Sequence, residues 1–142
     1  MATYQKFNSF VEALAEKVHN LGSDSLRFAL TNTAPAATDT AFAPGGAHPP
    51  PAAANGYTSG GHTVSITSSA QSSGTYKLVG TDIVITATAG GIGPFRYVVL
   101  YNDTASGDEL IAFFDYGSSI TLASGETFTI DLDGTNGILQ IV

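Results

Sequence analysis

The side chains with the potential for chemistry are few and poorly placed for it. His19, His48 and His62 fall in a helix end, a Pro-rich stretch and a strand start, with no i, i+2 or i, i+4 spacing that would bring two imidazoles to one metal ion. His19 reads more simply as a last-turn partner for a helix dipole. Asp131-Leu132-Asp133-Gly134-Thr135-Asn136-Gly137 opens like a calcium loop, but Asn136 and Val142 stand where an EF-hand needs its Gly and its bidentate Glu. A tight Asp-Gly or Asn-Gly turn between two strands explains the same letters. Asp103, Asp108 and Glu109 share one exposed hairpin tip with nothing apolar around them to raise a pKa for acid-base work. The serines form no Gly-x-Ser-x-Gly elbow, and Gly90-Gly91-Ile92-Gly93-Pro94 leads into a strand, so no helix N-terminus is offered to a phosphate. These residues predict no enzyme, no cofactor and no metal centre.

Composition narrows the class further. The chain has 142 residues, enough for one domain, of which 12% are charged against the ~25% usual for a soluble domain. Five Lys and Arg against twelve Asp and Glu leave a net charge of -7 and no basic patch to neutralise phosphates, so nucleic acid is disfavoured as a partner. There is no cysteine, which removes disulfides, thiol catalysis and Cys-based zinc sites together. No run of ~18 apolar residues suggests a membrane span, and no secretory leader is evident, so the chain is expected to act where it is made or in something assembled there.

The elements that must position any site are mostly strands. Residues 4–22 predict one amphipathic helix, because Phe7, Phe10, Val11, Leu14, Ala15 and Val18 share a face and Gly22 offers a C-cap. From Leu26 the period changes to two. Short alternating runs follow at Thr63 to Thr67, Thr75 to Val79, Ile83 to Thr88, Phe95 to Asn102, Leu110 to Tyr116, Ser119 to Leu122, Thr127 to Leu132 and Ile138 to Val142, separated by turn clusters such as Gly117-Ser118. This predicts a single mainly β domain over 1–142, an antiparallel β-sandwich or barrel with one N-terminal amphipathic helix and a strand-rich core over 62–142. The nearly all-apolar Phe95 to Tyr101 is expected in mid-sheet with both faces covered, the helix lying across one of them.

Residues 33–61 form a long Pro/Ala/Gly-rich loop that holds five of the six prolines. Loops beyond ~12 to 15 residues in a compact domain are usually functional or disordered. Two contact elements are therefore expected to meet a partner: the helix stripe (Phe7, Phe10, Leu14) and the loop (Phe42, His48, Pro49, Pro50, Pro51, Tyr57). The helix has the competing role of completing its own core, and deleting Ala43 to Ala53 is expected to weaken partner binding without unfolding the domain.

Several segments together resemble a family of small virion structural proteins of tailed bacteriophages. They include Tyr4-Gln-Lys-Phe-Asn-Ser-Phe-Val-Glu with Val18-His-Asn-Leu-Gly22, Leu26-Arg-Phe-Ala-Leu-Thr-Asn-Thr-Ala-Pro35, Gly93-Pro-Phe-Arg-Tyr97 through Thr104, and Asp115-Tyr-Gly-Ser-Ser-Ile-Thr-Leu122. The resemblance implies a non-enzymatic capsid decoration (cement) protein that binds the outer capsid lattice and stabilises the head. Its implied partners are the major capsid protein and itself, as a homotrimer, with no nucleic acid and no membrane. Its implied place is the outer capsid surface of the virion, after synthesis in the bacterial host cytoplasm. The alternatives are a tail or head-tail connector protein, or a carbohydrate- or receptor-binding β module in which Tyr57, Tyr97, Tyr101 and Tyr116 supply stacking platforms.

Overall fold

Alternating apolar runs demand sheet neighbours, and the computed structural model, which describes residues 2–142, supplies them with antiparallel pairings throughout. The elements are β1 (Thr3–Lys6), α1 (Ser9–Ala15), β2 (Leu26–Thr31), β3 (His62–Thr63), β4 (Ile66–Ser72), β5 (Thr75–Gly80), β6 (Ile83–Thr86), β7 (Ile92–Asn102), β8 (Leu110–Leu122), β9 (Thr127–Ile130) and β10 (Leu139–Ile141). A five-stranded sheet runs β1-β8-β7-β2-β3, a second runs β10-β5-β4, and β6 pairs with β9 alone. The chain is mainly β, and its sheets pack in a sandwich-like arrangement.

β7 is central and buried on both faces. Val98 and Leu100 join Leu26, Phe28, Leu30 and Ile111 in the main core between the sheets. Tyr97, Val99 and Tyr101 join Ala29, Leu110 and Phe113 in a second cluster on the opposite face. That second face is closed by Phe7 and Phe42, not by the helix.

The predicted helix over 4–22 shrinks to Ser9–Ala15. Residues ahead of it become β1, because β8 offers an open edge along which Thr3 faces Asp115 and Lys6 faces Ala112; this long-range pairing outweighs local helical periodicity. The helix ends early because Lys17 takes a left-handed φ of 66°, while the Val18 amide folds back to the Ala13 carbonyl at 2.8 Å. The apolar stripe is thereby split. Phe7 packs in the second cluster and Phe10 in the main core, which corrects their expected role at a partner interface, while Leu14 packs against the main core and stays half-buried at the surface.

The long loop is folded against the sheet as a strap. Its Phe42 amide donates to the Asp108 carbonyl at 2.8 Å, and the Leu110 amide donates to the Thr40 carbonyl at 3.0 Å, which extends pairing along the β8 edge beyond β1. The Phe42 ring stacks on Tyr101 at 4.4 Å and on His48 at 5.8 Å. His48 is wholly buried: its Nδ1 accepts the Ala43 amide at 3.2 Å, which assigns the proton to Nε2, facing Asp39 Oδ2 at 3.2 Å. Thr31 Oγ1 donates to the Pro49 carbonyl at 2.9 Å, and the Leu30 amide donates to the Tyr57 hydroxyl at 3.0 Å. The strap closes through Gly61 at a φ of 87°, where a Cβ would stand 2.2 Å from the Phe28 carbonyl oxygen. Phe42, His48, Pro51 and Tyr57 are therefore interior residues, corrected from their expected role at a partner interface; their aromatic and hydrogen-bonding groups are spent on covering the sheet. Pro49 is exposed and Pro50 half-buried.

Removing residues 43–53 is thus expected to unfold the domain rather than merely unload a partner, since the deletion takes His48 from under Phe42. Phe42→Ala is expected to cost about 3 kcal/mol, read from the shift of a urea unfolding midpoint. Burial lowers the pKa of His19, His48 and His62, Arg27 adding to the effect at His62. Folded pKa values below the unfolded ~6.5 mean that the unfolded chain takes up protons first as pH falls, so stability is full above that value and is lost progressively below it. The melting temperature is expected to drop between about pH 7 and pH 5, and His48→Gln to flatten the drop.

Candidate functional site: an open groove beside a free strand edge

β9 is four residues long and pairs only with β6, so among the described residues one of its edges has no strand partner. The phase of that ladder is fixed by the Ala87 amide donating to the Glu126 carbonyl at 2.8 Å, which makes Ile85/Phe128 and Ile83/Ile130 the hydrogen-bonded pairs. Thr127, Thr129 and Asp131 consequently aim their backbone N–H and C=O groups away from β6. Their side chains are exposed, whereas Ile130 and Leu132 sit in the main core and Phe128 packs against it. One strand thus turns apolar groups inward and bare backbone sideways.

Beside this edge the sandwich is incompletely closed. A groove of about 580 Å³ runs along residues 128–132 and is walled on the far side by Val98, Phe114, Tyr116 and Ala2. Five consecutive residues, 128–130 of β9 and the two that follow it, can line one groove because both the inward side chains and the sideways backbone face it. The aromatic wall is built of edge-to-face pairs: Tyr4 on Phe114 at 5.4 Å, Tyr116 on Phe128 at 6.0 Å, and Phe95 on Phe128 at 5.0 Å. Tyr116, the lining aromatic that reaches solvent, is 51% exposed, so the mouth of the groove is aromatic and wet.

Tyr116 reaches that mouth from a bulge. Along β7 the partner on β8 jumps from Ile120 opposite Phe95 to Asp115 opposite Tyr97, so residues 116–119 are looped out where Gly117-Ser118 punctuates the sequence. The bulge is pinned at its base by two parallel hydrogen bonds from Arg96 to Asp115, at 2.7 and 2.8 Å, and by the Gly117 amide donating to Asp115 Oδ1 at 2.8 Å. These bonds from Arg96 and Gly117 hold the Asp115 carboxyl below the usual carboxylate range.

The groove is acidic at its rim. Asp131 lines it, Glu126 and Asp133 flank β9, and no Lys or Arg belongs to its lining among the described residues. Two of the five cations are engaged elsewhere by carboxylates, Arg96 as above and Arg27 with Asp103 at 3.0 Å. Asp133 is occupied by its own turn, accepting the Thr135 and Asn136 amides at 2.7 and 2.8 Å, which lowers its pKa and gives the 131–137 stretch the structure of a capped turn.

The other chemical candidates are dispersed. His19 and His48 lie on different faces of the five-stranded sheet, and no three His, Asp or Glu side chains gather among the described residues. The acidic hairpin tip is less solvated than its sequence suggests: partial burial pushes Asp108 up, and Asp103 and Glu109 add to it. The strap lies over that tip, as the Phe42 contact to Asp108 requires. Among the described residues no helix is long and apolar enough to cross a membrane.

Of the nine residues singled out by sequence, Phe7, Phe42 and His48 do come together, but inside the protein. None of the nine lines the groove. Tyr116 entered the sequence reading only as a stacking platform of the sugar-binding alternative and Asp131 only as part of a rejected calcium loop, while Phe128 and Thr129 carried no signal; the Gly117-Ser118 break alone hinted that a side chain would be displaced there. Compared with known proteins, the chain matches no family model, no curated protein sequence and no solved structure.

The ladder phase has a direct consequence for hydrogen exchange. The amides of Thr127, Thr129 and Asp131 are expected to exchange much faster than those of Phe128 and Ile130, an alternation that amide-resolved exchange by NMR reads residue by residue. Uniform protection along β9 would mean that its outer edge is already paired.

Proposed function

We propose that this chain is a non-enzymatic decoration (cement) protein of a tailed-bacteriophage capsid, a β-sandwich that attaches to the outer lattice and to copies of itself. The observation that carries the reading is the groove: a largely apolar opening of about 580 Å³, with Tyr116 among its lining residues, lies next to strand backbone that has no partner among the described residues. Such a surface suits docking onto another polypeptide better than turnover of a small molecule. The resemblance of several segments to small virion proteins supplies the kind of lattice.

Two further features support attachment. With 12% charged residues the surface presents few long side chains whose immobilisation costs rotamer entropy. An array of copies also multiplies weak contacts, so one shallow groove per copy suffices. A sugar-stacking reading loses most of its platform, because Tyr57, Tyr97 and Tyr101 are buried and Tyr116 alone of the four is exposed.

Copy number per particle tests the proposal. Densitometry of purified virions is expected to give hundreds of copies, and stripping the protein is expected to lower the temperature at which heads rupture. Multiples of six or twelve would point to a tail or connector ring, and a handful to a receptor-binding tip; either result displaces the decoration reading.

A further inference from the structure

We propose that the β9 edge accepts an extended basic segment of a partner polypeptide, which adds as a strand beside Thr127 to Asp131 and places alternate apolar side chains in the groove. The inference deepens the attachment reading and rests on it for taking the partner to be an arm of a protein lattice. Three observations carry the strand itself.

The first is the backbone. Thr127, Thr129 and Asp131 direct N–H and C=O groups outward at the spacing of one residue in two, which is the pattern an antiparallel or parallel newcomer needs. The second is shape. A residue opposite Phe128 or Ile130 in an added strand points the same way as they do, into the 580 Å³ between β9 and the wall formed by Val98 and Phe114. A residue opposite Thr129 or Asp131 points to solvent.

The third observation is charge, and it selects the occupant. Asp131 stands on the outward face with no cation among the described lining residues, and Glu126 extends the same sign ahead of β9, whereas Asp133 beyond it lies within the field of Lys77. A Lys or Arg at an outward position of the added strand gains a cross-strand partner, whereas an acidic one meets like charge. A second copy of this chain offering its own β9 would bring more carboxylates to the rim. The segment that fits therefore alternates apolar and polar residues and carries a basic residue at a polar position.

The test uses the full chain, labelled for NMR, and two blocked pentapeptides, Val-Lys-Val-Thr-Val and Val-Glu-Val-Thr-Val. The Lys peptide is expected to shift and protect the amides of Thr127, Thr129 and Asp131, and to bind about fivefold more tightly than the Glu peptide. Asp131→Asn is expected to remove most of that preference while leaving the fold intact. Thr129→Pro deletes an outward donor without touching a bond to β6 and is expected to abolish binding, with unchanged β7 and β8 amide shifts as the check on folding. No shift at about 1 mM peptide, shifts lying away from β9, or equal affinity for the two peptides would overturn the inference. Light scattering that finds a dimer in the wild-type chain and a monomer in Thr129→Pro would overturn it too, by making a second copy the occupant. Failure here with the protein present in purified particles leaves attachment standing by another surface, whereas particles without the protein remove the lattice itself.

Discussion

The burial of β7 on both faces is the constraint from which the rest of the architecture follows. A strand reading Tyr97-Val98-Val99-Leu100-Tyr101 has no polar side to give to water, so its sheet needs two covers. The first is the pair of smaller sheets, whose Leu78, Ile85, Ile130 and Leu139 close the main core. On the other face the strap does that work, with Phe42 stacked on Tyr101 and His48 on Phe42. A Pro-rich segment suits the task, since prolines lose little entropy on ordering and leave carbonyls, such as that of Pro49, to be met from the sheet. The cost is a buried histidine that must stay neutral, which ties this cover to pH.

The same constraint explains where the molecule stays open. Strands β6 and β9 complete the inner layer only in part, and the groove marks the place where no further strand follows. Three of the other edges are blunted. β3 has two residues, β1 carries Lys6 among four exposed residues, and β4 is mostly exposed hydroxyl and amide side chains. The β9 edge combines free backbone with an apolar floor, and negative charge deters its pairing with a like edge.

How much of this was legible depended on how far apart in sequence the deciding partners lie. The mid-sheet position of Phe95 to Tyr101 was written in the run itself, and the break at Gly117-Ser118 became the β8 bulge. The helix was overextended because nothing local in Thr3 to Lys6 announces that β8, a hundred residues on, will offer it an edge. Phe42 and His48 looked like surface residues because their environment is made by Tyr101 and Phe7, which no local pattern connects to them. The groove was illegible for a stronger reason. Whether Thr129 faces a neighbouring strand or water is a property of strand order, and strand order is not encoded by the period of any one segment.

Charge then acquires a more specific meaning than its total. A net -7 with few basic residues first bears on solubility and on the exclusion of nucleic acid. In the folded chain two arginines are committed to Asp103 and Asp115, where they pin the β7–β8 hairpin and its bulge, so the carboxylates left over carry most of the surface field. Around β9 that surplus does two things at once. It repels a second identical edge, keeping a sticky strand from propagating copy to copy, and it attracts a strand of opposite sign. An acidic guard on an apolar edge is therefore both the protection against aggregation and the rule for choosing a partner, which is why these two roles can reside in so few residues.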